Sequence, residues 1–274
     1  MVSQNDDGFL DFSFCVDYIH KCQYYFKLIC DDMIFHILSI SKVSKKTFKE
    51  IFNAINNVMN VRNLYNINKS LSYFILLNPS KRYITLNKPI ESKNVNGAFT
   101  FINSNNIFII RKQELGKVVI HELLHHNNKI HLHNWKEQNI NMLKRNFEIN
   151  YQCKLYPNEA IIEAFACLLM CCFISIQRKI PFKTVYYKEM IHSQKMANVI
   201  LNMQNDKEWY EKTNAFCYIV FKCILFCKFN DFMKIFHYGK YNDTFITDFI
   251  IKNQIKRTGV KANTKTISFT YYKL

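Results

Sequence analysis

His121-Glu122-Leu123-Leu124-His125-His126-Asn127-Asn128-Lys129-Ile130-His131-Leu132-His133 carries five of the chain's nine histidines. Its first five residues govern how the rest is read. On a helix His121 and His125 stand one turn apart, so both imidazoles leave the same face and converge on one point. Two imidazoles placed this way suit a zinc ion, which takes nitrogen at about 2.0–2.1 Å. Glu122, next to the first histidine but aimed elsewhere, is the candidate general base, able to take a proton from a water that the metal activates. The apolar flanks Val118-Val119-Ile120 and Leu123-Leu124 predict a buried helix from Gln113 to Asn127. Buried imidazoles need partners, which an accidental pair on a solvated helix does not.

A second stretch supplies those partners. In Asn158-Glu159-Ala160-Ile161-Ile162-Glu163-Ala164-Phe165-Ala166, two glutamates lie one turn apart in an otherwise apolar helix. Carboxylates at such positions are costly unless they meet a cation or a hydrogen-bond donor. A zinc ion together with a histidine N–H provides both. Asn158 is the expected N-cap of this helix, which should run to about Lys179.

These two stretches together resemble the zincin metallopeptidases, more closely the gluzincin branch, whose third ligand is a glutamate on a second helix. The resemblance implies His121, His125 and Glu159 as zinc ligands, Glu122 as general base and Glu163 as the carboxylate that orients His121. Glu163 stands where aspartate is commoner in that branch. A hairpin ahead of the active-site helix, with an edge strand that pairs with an extended substrate, is also implied, and Asn96-Gly97-Ala98-Phe99-Thr100 with Ile107 to Arg111 matches that order. The likeness covers residues 95 to 170 and is similar in kind to metallopeptidases of large DNA viruses. A rival spacing remains: His121, His125 and His131 follow the metzincin pattern, with Asn128 in the glycine position, where asparagine tolerates a left-handed turn. Glu163 is a third alternative as ligand. An oxyanion stabiliser should come from the C-terminal half, with His192, Tyr186, Tyr187 and Tyr210 as candidates.

Outward from this core the chain divides into a helical N-terminal portion (1–80), a zincin-like catalytic core (81–180) and a helical C-terminal subdomain (181–274). The expected class is α+β, mostly helical, with a small antiparallel sheet or hairpin. Residues 9 to 78 read as mostly helical, with an apolar stretch from Phe9 to Leu38 and an amphipathic segment from Lys45 to Val61. Tyr83 to Leu86, Ala98 to Ile102 and Ile107 to Arg111 read as extended, the last two joined by Asn103-Ser104-Asn105-Asn106. Residues 128 to 157 read as irregular, helices are expected near 184–203 and 208–236, and the tail after Arg257 reads as weakly β-like.

Composition sets the background. With 49% hydrophobic residues and only 5 Gly and 4 Pro in 274 residues, the chain has ample core material, which excludes disorder and low complexity. The formal charge of +16 points first to nucleic acid, but it is mostly lysine spread along the chain, and no nucleic-acid module is recognisable. No specific nucleic-acid partner is expected; a peptide or protein substrate is. Ten cysteines without metal-knuckle spacing, mostly in apolar contexts, suggest free thiols in a reducing intracellular compartment. Asp6, Asp7 and Asp11 argue against an export signal, and the apolar run Phe165 to Ile176 is too short to span a bilayer.

Overall fold

The computed structural model describes residues 13–85, 88–101, 104–132, 134–204, 208–237, 241–256 and 266–272. Strands β1 (Tyr24–Cys30) and β2 (Met33–Ser39) form an antiparallel hairpin that turns at Asp31-Asp32, where Asp31 takes a left-handed φ of 53°. Helix α1 (Ser13–His20) precedes them, and α2 (Lys45–Tyr65) follows. The α2 helix begins at Ser44, whose hydroxyl accepts the Thr47 N–H, and ends at Asn66 in a left-handed cap. It returns the chain to β3 (Ser72–Leu76), which pairs parallel to β2.

After a loop and the single turn α3 (Ser92–Val95), β4 (Ala98–Thr100) and β5 (Asn106–Ile109) form the predicted hairpin. The β5 strand also pairs parallel to β3, which completes a mixed five-stranded sheet in the order β1-β2-β3-β5-β4. The class is therefore α+β, but the sheet is larger than expected and mixed rather than antiparallel.

The N-terminal portion is the main correction. It supplies β1, β2 and β3, not helices alone, because the residues from Met33 to Ser39 alternate between buried and half-buried sides with a period of two. Met33, Phe35, Ile37, Tyr73, Ile75, Ile107 and Ile109 point inward and join one core with Ile51, Ile55 and Val58 of α2. On the outer face, His36, Phe74, Phe108 and Phe99 stack in a row with centroids 4.7–5.2 Å apart. Among the extended candidates, Tyr83 makes only an isolated bridge to Thr266, while Leu86, Ile102 and Asn103 lie outside the described residues.

Helix α4 (Leu115–Leu124), the predicted motif helix, has all ten residues buried and packs on α2 and against α6 (Asn158–Arg178). The segment read as irregular contains a further helix, α5 (Glu137–Asn146), hidden in the sequence by its polar, asparagine-rich face. By length and composition alone α6 could cross a bilayer; in the fold it is mostly buried against α4, α7 (Phe182–Gln204) and α8 (Lys222–Cys227). Its Asn158 is not a cap, since Pro157 holds that position and makes no side-chain cap bond.

A π-helical turn (Cys217–Phe221) leads into α8, followed by α9 (Phe229–His237) and α10 (Asp243–Lys252), the last of which the sequence reading did not anticipate. Residues 257–265 of the expected β-like tail lie outside the described residues, and 266–272 run as an extended strap over α4 and α7. All ten cysteines are free thiols.

Candidate metal centre

Four side chains from α4 and α6 meet where the sequence places them. His121 Nε2 lies 3.2 Å from Glu159 Oε2 and 3.3 Å from His125 Nε2, and His125 Nε2 is 3.4 Å from the same Glu159 oxygen. His121, His125 and Glu159 thus form a group able to hold a metal ion, each offering one ligand atom. Glu163 is one turn further along α6 and does not join this group. Its Oε2 accepts the His121 Nδ1–H at 2.7 Å, which turns the Nε2 lone pair of His121 toward the other donors.

His131 takes the corresponding place beside His125, where the His125 ring and the Asn158 amide share its single Nδ1 lone pair. Its Nδ1 lies 3.2 Å from His125 Nδ1, on the side of that ring away from the group. Asn158 fixes His131 in turn: the Asn158 Oδ1 accepts the Leu132 N–H at 2.8 Å, so its Nδ2 is the donor to His131 Nδ1 at 3.1 Å. His131, which spacing offered as a third ligand, therefore lies behind His125 and outside the group of His121, His125 and Glu159. His126 projects the other way, with Nε2 3.2 Å from Thr100 Oγ1 on the edge strand β4. Burial, then the neighbouring Lys69 and His125, pushes its pKa down to about 4. His133 lies outside the described residues.

The electrostatics of the cluster follow from its burial. Desolvation alone would lower the His121 pKa, but the hydrogen bonds to Glu159 and Glu163 outweigh it and raise the value to about 9. Against the opposing effect of burial, His125 and then His121 hold Glu159 well below the usual range, and Lys117 and then His121 do the same for Glu163. Glu122 differs: burial pushes it up, and its carboxylate accepts no hydrogen bond from a described residue. Behind Glu163 stands a layer of buried ion pairs. Lys117 Nζ reaches Glu163 Oε1 at 2.5 Å, and Arg82 reaches Glu114 at 2.9 Å, with all four side chains at most 2% exposed.

The sequence reading missed Tyr218. The π-helical turn carries its ring to 5.9 Å from that of His121. Such turns recur at functional sites because the extra residue shifts the facing of those after it. Burial, reinforced by Glu159, Glu122 and Glu163, raises the Tyr218 pKa well above the ordinary tyrosine value, so its hydroxyl stays a donor. No periodicity singles it out among sixteen tyrosines. Tyr218 lines a cavity of about 20 Å³ together with His121, Glu122, Gly97 and Phe269.

The earlier oxyanion candidates do not line this cavity. His192 Nε2 lies 3.1 Å from the Ser268 carbonyl and 3.0 Å from its hydroxyl, Tyr186 donates to the Phe226 carbonyl, and Tyr187 and Tyr210 are exposed.

Glu211 anchors the segment ahead of the π-helical turn by accepting the Ala215 and Phe216 N–H groups at 2.7 and 3.1 Å. Burial nevertheless raises its pKa to about 8, with those hydrogen bonds opposing. A raised carboxyl pKa stabilises the fold when the group is protonated. Between roughly pH 4.5 and 8 the unfolded chain is ionised here and the folded one is not, so stability falls as pH rises, by up to about 1.4 kcal/mol per unit. Thermal melts at pH 5.5 and 8.5 should show Glu211→Gln losing part of the wild-type decline. Equal declines would remove Glu211 as its source.

Comparison with protein families, with characterised proteins and with solved structures finds no match, so the chain is described by its own fold and site.

Proposed function

We propose that this protein is a zinc-dependent metallopeptidase, with His121, His125 and Glu159 holding the metal and Glu122 as general base. One observation carries the reading: the donor triangle has edges of 3.2, 3.3 and 3.4 Å. Three donors set 2.0–2.1 Å from a tetrahedral ion must stand about 3.3 Å apart. The chemistry of the donors agrees, since two imidazoles and a carboxylate crowded this closely call for positive charge at their centre, supplied by a proton on His121 until a metal ion takes its place. Their outer nitrogens are already occupied, one by Glu163 and the other by the His131–Asn158 pair, which is how ligating histidines are normally oriented.

Zinc, when bound, supplies Lewis acidity at a substrate carbonyl and eases the ionisation of a water. The chain's residues supply the rest. The 20 Å³ cavity against Glu122 has room for about one water. Burial raises Glu122 toward the range in which a carboxylate can accept that water's proton and return it to the leaving amine. Tyr218, kept protonated, can donate to the oxyanion that develops at the attacked carbonyl. The β4 strand lies at the sheet edge, tied to the end of α4 through Thr100 and His126, and an extended peptide can pair with it.

Metal analysis and peptide turnover test this reading together. Wild type should retain about one zinc per chain, and Glu159→Ala should lose it, because an open catalytic site keeps three protein ligands. His131→Ala and Glu163→Ala should bind zinc about 10–100-fold more weakly. Glu122→Gln should keep zinc while losing turnover of a broad peptide library. Full zinc retention in Glu159→Ala rejects the ligand set. Zinc binding without turnover by wild type would instead favour a non-enzymatic metal-binding protein.

A further inference from the structure

Phe269, on the strap, forms one wall of the cavity beside Glu122. Three buried charged side chains fix its backbone: the Phe269 N–H donates to Glu114 Oε1 at 2.8 Å, its carbonyl accepts from Lys222 Nζ at 3.1 Å, and, two residues on, the Tyr271 N–H donates to Glu189 at 2.8 Å. The ring is equally constrained. Tyr218 stacks on it at 5.5 Å, and the Arg82 guanidinium sits over it at 4.4 Å. Ile267, Phe269 and Tyr272 are all part of the main core, so this is a fixed wall and not a mobile lid. What remains between Phe269, Glu122 and β4, with Arg82, Lys117 and Glu163 also lining it, is about 20 Å³, room for about one water.

We propose that Phe269 is a specificity-determining residue that restricts the substrate side chain entering this cavity to the size of glycine or alanine. The inference rests on the peptidase reading for its biological meaning, but the shape of the pocket is testable apart from turnover. The cavity shares His121 with the donor group and is lined by Glu122, so a side chain that enters it from a substrate carbonyl held at that group meets Val118 and Phe269, with room for little more than a methyl group.

A series of 3-mercaptopropanoyl-glycines carrying hydrogen, methyl, isobutyl or benzyl at carbon 2 places a graded side chain next to a metal-binding thiol. Calorimetric titration of the zinc-loaded protein should show hydrogen and methyl bound best, with a loss of at least about tenfold at isobutyl and more at benzyl. Phe269→Ala should reverse that order, and the milder Phe269→Leu should rescue isobutyl alone, which keeps the test decisive if the alanine variant does not fold. Zinc content and thermal melts establish that each variant is intact.

Wild type binding benzyl as tightly as methyl, or an intact Phe269 variant with an unchanged order, would overturn the proposal. Failure of every thiol to bind would overturn it together with the zinc reading. The predicted size order without cleavage of any peptide would reject the peptidase reading and leave the role of Phe269 standing.

Discussion

Glu163→Ala is expected to destabilise the protein by about 3–5 kcal/mol, the usual consequence of removing one partner from a buried ion pair. Glu163 is 1% exposed and joins two otherwise separate groups, Lys117 at 2.5 Å and His121 at 2.7 Å. Its removal leaves the Lys117 ammonium buried with Glu114, 4.0 Å away, as its one remaining counter-charge among the described residues. It also frees the His121 ring to rotate or change tautomer. At roughly 2–4 °C per kcal/mol for a chain of this size, the metal-free protein should melt about 10 °C lower.

Two controls separate the causes. Glu163→Gln keeps an acceptor for His121 but not the charge, so it should recover zinc affinity more than stability. Lys117→Met combined with Glu163→Leu removes both charges and should melt above Glu163→Ala alone, since replacing a whole buried pair costs less than halving it. If Glu163→Ala melts within 1–2 °C of wild type, the Lys117–Glu163 pair has no such role.

Gly97→Ala should produce a loss of similar size, about 3–5 kcal/mol, without touching the centre itself. A methyl group at Gly97 would overlap the Arg82 guanidinium. An exposed arginine would move aside, but Arg82 is 1% exposed and held by the Val95 carbonyl at 2.5 Å and by Glu114 at 2.9 Å. Displacing it breaks a buried ion pair and leaves the Glu114 carboxylate to the Phe269 N–H and to Lys117, 4.0 Å away. The cause can be isolated in a double-mutant cycle, because in an Arg82→Ala background the Gly97→Ala substitution should cost about 1 kcal/mol or less. An equal cost in both backgrounds would show that something other than the overlap is responsible. This glycine is therefore required for close approach of a side chain and not for an unusual backbone angle.

The candidate site was more legible in the sequence than the fold that carries it. Helical periodicity suffices to put His121 and His125 on one face, and apolar surroundings single out Glu159 and Glu163, so the two site helices could be read from local pattern alone. The roles of the remaining histidines could not. His131 has the spacing of a ligand, and only the tertiary position of Asn158 turns it toward the back of His125. Tyr218 reaches the site through a π-helical turn, a one-residue irregularity with no signature in composition.

The misread hairpin has a similar origin. Between Tyr24 and Ser39 there is no glycine or proline to mark a turn, and the left-handed Asp31 was the available signal. For α5 the opposite held, since its polar face outweighed the few apolar positions, such as Leu143, that seat it.

The strap that bears Phe269 closes a far longer stretch of chain than the donor triangle does. The donor triangle joins positions 38 residues apart, whereas Phe269 meets Glu114 across 155 residues. Loop-closure entropy makes the longer contact more costly to form, by about 1 kcal/mol. A chain folding from the extended state can therefore assemble its ligand atoms while the wall beside Glu122 is still open. If the proposed function holds, an ion and a substrate need not enter by the same route, because the first route is available before the second acquires its final width.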